Sequence, residues 1–182
     1  IYRYDAFNLY PTAVTNALNQ QTNYLYDYTN GTPKQVTDPN GEIRVTVYDG
    51  FDRVTAQKAP DPATGALVTV EADAYVGVAN QYSVAKTKVF SPALSVDSWT
   101  YLDGFGRVIQ TRSRAEDQGG QPTYAVADTG YNQMSQVAKQ SLPYFSQGSA
   151  RTSATTDPNL YAAFRYDALG RATAVTDAVG TT

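Results

Sequence analysis

From Glu42 to Tyr48 the chain runs E-I-R-V-T-V-Y, apolar at every second position. Ile43, Val45 and Val47 fall on one side of an extended strand, and Glu42, Arg44, Thr46 and Tyr48 on the other. Successive strand side chains point to opposite faces, so this alternation predicts a strand with one face more buried than the other. Long Leu-, Glu- and Lys-rich stretches at 3.6-residue spacing are missing. The pattern therefore predicts an all-β chain with at most one or two short helical turns.

Polar punctuation is just as regular. Asp or Asn is followed three residues later by Gly, Asn or Asp at Asp5–Asn8, Asn16–Asn19, Asp27–Asn30, Asp38–Gly41 and Asp49–Asp52, at a spacing of 11 residues. A type I turn favours Asp or Asn first, because the short side chain accepts hydrogen bonds from N–H groups just downstream. The fourth residue then takes a left-handed conformation and forms a bulge where the return strand starts. Gly fits there at no cost, and Asn and Asp at little. Asn8, Asn19, Asn30, Gly41 and Asp52 are accordingly predicted at those left-handed slots. What remains between turns is about seven residues, a strand of about 23 Å. An antiparallel meander of hairpins over 1–58 follows.

The meter returns later in the chain. Asp157, Asp167 and Asp177 open "DPNL", "DALG" and "DAVG" at a period of 10, with Gly170 and Gly180 in the fourth slots of the last two. Leu160 fills that slot in the first, so its turn is expected to be built differently, around Pro158. Asp103, Gly106 and Arg107 mark another hairpin in "LDGFGRVIQT". Asn132, with Ser135 for Gly and Gln136 for Arg, marks a weaker copy. The expected organisation is one β-sheet segment over 1–182: regular hairpins over 1–58, an irregular insertion over 59–98, and hairpins again over 99–182. The insertion opens on the Pro/Gly loop "APDPATGA" and then holds longer or displaced strands over 72–98. Loops are expected at 114–122 and 145–156, at hairpin ends, where few contacts cross.

Composition sharpens this picture. The chain has 182 residues, 42% of them hydrophobic, which excludes full disorder. Its 15 Tyr, with frequent Thr and Val, suit a pleated sheet. Cys and His are both absent, which removes disulfides, thiol chemistry, the commonest general base and the commonest transition-metal ligand. A net charge of −3 predicts no nucleic-acid partner. No run of some 18 apolar residues is present, so no membrane insertion by this segment is expected.

Three stretches carry a resemblance: Tyr48-Asp49-Gly50-Phe51-Asp52-Arg53, Asp103-Gly104-Phe105-Gly106-Arg107-Val108 and Tyr166-Asp167-Ala168-Leu169-Gly170-Arg171. With weaker units at Tyr4-Asp5, Tyr26-Asp27 and Tyr131-Asn132, they resemble the YD repeats of the Rhs family. "YLDGFGRVIQTRSRAED" and "QSLPYF…FRYDALGRATAVTD" look most like the Rhs-like middle region of B-type components of bacterial insecticidal toxin complexes and SpvB-like proteins. The resemblance covers most of the chain and is poorest over 73–98. It implies a section of a curved, shell-forming sheet that encloses a toxic polypeptide, or in teneurin-like members a cell-surface barrel. It implies a secreted or cell-surface bacterial protein in the setting of virulence. The implied partners are the remainder of the same shell, or a homologous shell subunit, and an enclosed toxin polypeptide. About 14 strands, roughly 65 Å of sheet at about 4.8 Å per strand, are expected. Ile1 stands in strand-like sequence and "GTT" follows a turn, so the chain is expected to be part of a longer protein.

Candidate chemistry has to compete with this architecture. The turn aspartates could be catalytic carboxylates, but capping accounts for them. Arg53, Arg107 and Arg171 could form an anion site, yet each starts a return strand, where it can pair with a carboxylate or lie over Tyr. "TDPNGE" over 37–42 lacks the ligand spacing of a calcium loop and sits at a periodic turn. "GFG" precedes no helix and so makes no phosphate loop. Serines without any His form no standard triad. No catalytic, cofactor-binding or metal-binding residue and no cofactor is expected. Two functions are weighed: a non-catalytic segment of an encapsulating shell, and an extracellular module that binds glycan or a protein receptor through Tyr-rich strands and loops.

Overall fold

A computed structural model describes residues 1–78, 81–91 and 93–177. It is all-β, an open antiparallel meander. The strands are β1 (Tyr2–Tyr4), β2 (Pro11–Thr15), β3 (Gln21–Asp27), β4 (Thr32–Thr37), β5 (Ile43–Tyr48), β6 (Val54–Pro60), β7 (Leu67–Val78), β8 (Gln81–Ser91), β9 (Leu94–Leu102), β10 (Val108–Arg114), β11 (Thr123–Tyr131), β12 (Val137–Ser141), β13 (Tyr144–Gln147), β14 (Tyr161–Tyr166) and β15 (Ala172–Thr176). Strand order follows chain order except at β13, which pairs with β11 and leaves β12 to pair with β14. One turn of 3-10 helix, Pro158–Leu160, is capped by the Asp157 side chain, which accepts from the Asn159 N–H. This is the different build that Leu160 requires.

Two compact units share the strands. The first comprises Ile1–Asp73 and Thr87–Ser95, the second Ala74–Lys86 and Val96–Thr182. In the first unit, register shifts fall beside Tyr4, Tyr26 and Tyr48 at the turns, and between Gln57 and Lys58 within the β6–β7 pair. In the second they fall beside Val108, Tyr131 and Tyr166. The shifts beside the turns are the bulges that a left-handed residue closing the turn produces.

Burial differs between the units. Ala13 is the one buried residue of the first among those described. The clean two-sided division expected of β5 is not found there. Val47 is 37% exposed, while Thr46 and Tyr48 are half-buried. The bulge between Val47 and Tyr48 interrupts the alternation at that point. The second unit holds a core on one face of β9–β11, where Tyr101, Tyr124 and Val126 are buried beside Gln110, Arg112 and Asp128. Cross-strand register places these side chains on one face: Gln110 opposite Tyr101 and Asp128, and Arg112 opposite Trp99 and Val126.

Candidate functional site

The turns are built as local hydrogen-bond cages. Asp49 Oδ1 accepts the N–H groups of Phe51 (2.9 Å) and Arg53 (3.1 Å), while Oδ2 takes Arg53 Nε at 2.8 Å. Asp103 repeats this with Phe105 (2.9 Å), Arg107 N (3.0 Å) and Arg107 Nε (2.8 Å). Asp167 repeats it with Leu169 (2.9 Å), Arg171 N (2.9 Å) and Arg171 Nε (2.6 Å). Asp5 accepts from Phe7 and Leu9, and Asp38 from Asn40 and Glu42. One carboxylate thus satisfies two N–H groups that the bend leaves without ladder partners, and in three turns it also fixes an arginine.

Asn16 and Asn132 keep the cage without charge. Asn132 Oδ1 accepts Met134 N (2.9 Å) and Gln136 N (3.0 Å), and its Nδ2 donates to Gln136 Oε1 at 3.0 Å. Asn16 does the same with Leu18, Gln20 and the Gln20 side chain. Replacing Asp by Asn and Arg by Gln together conserves the geometry, so the copy that looks weak in sequence is wired like the others.

Fourth-slot conformations are left-handed at Asn8 (φ 54°), Asn19 (59°), Gly41 (85°), Asp52 (60°), Gly106 (76°), Ser135 (63°) and Gly170 (80°). Asn30 departs from its predicted place. The Asp27 turn closes one residue later, with the Gly31 N–H on Asp27 O at 2.8 Å and Gly31 at φ 74°. A glycine next to an asparagine takes the left-handed position at lower cost. A Cβ on Gly31 would also lie 2.6 Å from Tyr10 Oη. Freed from that slot, Asn30 accepts from Thr32 N and donates to Asp52 Oδ1 at 2.6 Å. Asp27 Oδ1 accepts the Thr29 N–H at 2.9 Å. The turn begun by Asp177 and completed by Gly180 lies outside the described residues.

The same residues lock one hairpin to the next. In the second unit the β9–β10, β11–β12 and β14–β15 turns share one end of the sheet, because each follows a strand of the same direction. Tyr131 Oη donates to Val108 O (3.0 Å), just beyond Arg107, and the Arg107 guanidinium lies 4.4 Å over the Tyr131 ring. Tyr166 Oη donates to Val137 O (2.9 Å), and Gln136 Nε2 reaches Gly170 O (3.1 Å). In the first unit Tyr28 Oη donates to Asp5 Oδ2 (2.6 Å), Tyr48 Oη to Pro33 O (3.3 Å), and Tyr10 stacks on Tyr26 with centroids 4.7 Å apart. Tyr-Asp-x-x-Gly-Arg is thus a closed circuit: Asp and Gly shape a bend, Arg stiffens it, and the next Tyr ties it to its neighbour two strands on.

Charge and solvation follow from this wiring. The Arg53 guanidinium holds the Asp49 carboxyl below its ordinary pKa, and Arg107 does the same for Asp103. Asp167 is lowered by the Arg171 N–H and then by its guanidinium, and Asp5 by the Tyr28 hydroxyl. At the third turn position large apolar side chains stand in the open: Phe7 and Phe51 in the first unit, and Phe105 (85% exposed), Met134 and Leu169 in the second.

The buried polar face of the second unit was not legible in the sequence. Arg112 is fully buried, and among the described residues no carboxylate lies within ion-pairing distance. Its Nη1 donates to Gln110 Oε1 (3.0 Å) and Thr152 Oγ1 (3.2 Å), its Nη2 to Ser146 Oγ (2.9 Å), and its Nε finds no partner. Gln110 Nε2 donates to Asp128 Oδ1 at 2.7 Å, and Tyr144 Oη to Asp128 Oδ2 at 2.8 Å. Burial and then the Asp128 carboxylate push Tyr144 up to about 12. Of residues 145–156, expected as a loop with few crossing contacts, 145–147 belong to β13, and residues 148–157 lie over this face and bond to it. An open hollow of about 760 Å³ adjoins them, lined among others by Asp128, Lys139, Thr155 and Tyr161. Among the described residues no cluster of metal-ligating side chains occurs, and no helix is long and apolar enough to cross a membrane.

No protein-family model and no curated protein sequence matches the chain. Solved structures do. The crystal structure of TcdB2-TccC3 aligns over 98% of this chain and 11% of its own, at 19% identity and a TM-score of 0.75. The crystal structure of TcdB2-TccC3-Cdc42 aligns over 98% and 14%, at 15% identity and a TM-score of 0.78. The Photorhabdus luminescens Tc holotoxin pore with a TccC3 variant gives 98% and 14%, 15% identity and a TM-score of 0.79. This chain has the fold of a stretch of these toxin-complex components and spans a small part of their length.

Proposed function

We propose that the chain is a structural, non-catalytic segment of an Rhs-type shell that encloses a toxin or effector polypeptide in a secreted bacterial toxin complex. The observation that carries this reading is the repeated circuit. Turn, arginine and tyrosine are spent on bending the backbone and on tying each hairpin to the next, so the repetition builds surface. The apolar tips Phe51, Phe105 and Leu169 stand 78% to 85% exposed at hairpin ends. Exposed apolar groups of this size are where further shell, from the same protein or a homologous subunit, would close. In the receptor-binding alternative the tyrosines would offer free ring faces. Tyr2, Tyr4, Tyr28 and Tyr82 are 49% to 64% exposed, but Tyr10 and Tyr26 stack on each other, and Tyr48, Tyr131 and Tyr166 give their hydroxyls to neighbouring carbonyls.

Limited proteolysis of the intact natural protein tests the reading. A polypeptide released only after the shell is opened, and protected until then, is the expected result. A chain that binds a glycan or receptor with no protected polypeptide in the intact protein would overturn it.

A further inference from the structure

Residues 148–157 form no strand, yet the sheet holds their backbone at several points. Gln110 takes both backbone groups of one residue: Nε2 donates to Thr152 O (3.2 Å) and Oε1 accepts the Thr152 N–H (3.2 Å). Tyr101 Oη donates to Ser149 O (2.5 Å), and Asp128 Oδ2 accepts the Thr155 N–H (3.1 Å). With the segment in place, Tyr101 is 7% exposed and Gln110 and Asp128 2%. Arg112 adds a side-chain contact, to Thr152 Oγ1, and keeps one buried donor, Nε, without a hydrogen-bond partner.

A carboxamide bonded to the N–H and the C=O of one residue does what a neighbouring strand does in a ladder. Main-chain reading of this kind supplies affinity that is largely independent of sequence. The present occupant, Ser-Ala-Arg-Thr-Ser-Ala-Thr over 149–155, brings small side chains, four hydroxyls and two alanines, and one arginine. No large apolar anchor fastens it, and residues 151–154 are exposed on their outer side. Site and occupant are therefore separable: the sheet carries the built recognition, and the strap supplies an extended backbone.

We propose that this face of β9–β11 is a binding site for an extended polypeptide of small residues, Ser, Thr and Ala, filled in cis by residues 149–155. A second extended segment of the same chemistry takes the site by exchange, its N–H and C=O groups replacing those of Thr152 and Thr155 on Gln110 and Asp128. This inference rests on the second unit alone and does not depend on the encapsulation reading.

The test uses the full chain and a fluorescein-labelled peptide with the sequence of residues 148–157, followed by fluorescence anisotropy. A Thr152→Pro/Thr155→Pro variant lacks the two N–H groups that the sheet accepts, which ejects the strap without shortening it. That variant should bind the peptide at least ten-fold more tightly than the unaltered chain. Adding Gln110→Ala should lose at least ten-fold, and a peptide carrying the same two prolines should not bind. Equal binding to both chains, or none to a folded double variant, would overturn the proposal. Should the variant not fold, hydrogen exchange on the unaltered chain decides. The Thr152 and Thr155 amides should exchange much faster than those of β10 and β11, and faster still with excess peptide. Strap amides that open only with the sheet would sink it.

Discussion

Gly170 and Arg171 are neighbours in one turn but serve it differently. Gly170 sits at φ 80°, and a Cβ there would also meet Gln136 Nε2 at 3.0 Å. A β-branched side chain resists that conformation, so Gly170→Val should cost roughly 1–3 kcal/mol. Arg171 is 73% exposed on its side chain, and its pair with Asp167 is screened, so Arg171→Ala should lower the melting temperature much less. Equal melting temperatures for the two variants would contradict this geometry. Acid should act on the same cages. Asp5, Asp49, Asp103 and Asp167 all titrate below the ordinary 3.8 in the fold. On acidification the unfolded chain therefore takes up protons first. Stability is full above about pH 4 and is lost as pH falls below it toward the depressed folded values. A chain carrying Asp103→Asn with Arg107→Gln, copied from the Asn132–Gln136 pair, should show a shallower loss between pH 4 and 2 in thermal melts.

At the scale of elements, local chemistry was readable and distant pairing was not. Asp49, Asp103 and Asp167 announce their turns because everything that fixes them lies within four residues. Asn30 shows the limit of such reading. Its dipeptide with Gly31 admits two turns, and Tyr10, far along the chain, sits against the one that forms. Segment 148–157 shows the larger gap. Its partners Gln110 and Asp128 read as ordinary strand residues, and nothing in Ser-Ala-Arg-Thr marks a segment that covers them. Alkali should expose that cluster. The folded chain keeps the Tyr144 proton up to about 12, while the unfolded chain releases it near 10, so the contribution is complete below pH 10 and disappears as pH rises from 10 to 12. Tyr101, Tyr124 and Tyr161 are raised too, so the loss is shared. Melting temperature followed from pH 9 to 12 should fall less steeply for Tyr144→Phe than for the unaltered chain. Parallel slopes would remove Tyr144 from the account.

For the molecule as a whole, the meander and its all-β class could be read from alternation and turn period together. Its division into two compact units could not, because that depends on which strands acquire a covered face. Exposure at the hairpin tips gives a separable prediction. Phe105 is 85% exposed, with the Arg107 guanidinium 5.1 Å over its ring, so Phe105→Ser should change the stability of this chain by less than about 1 kcal/mol. In the intact shell the same change should weaken assembly, seen as faster proteolytic opening. Unchanged opening would leave the tips without a closing role.

The ties between alternate hairpins also restrict how such a chain can grow or shrink. Asp5, Asp27 and Asp49 lie 22 residues apart, two strands per step, and all bend at the same end of the first unit. Loss of a single strand would send each later turn to the end opposite the earlier ones and break the tie that spans the gap. Loss of two strands would restore each tie with a new neighbour. Length variation among relatives should therefore be quantised in pairs of strands, with odd changes confined to places such as β13, where a strand already leaves the path.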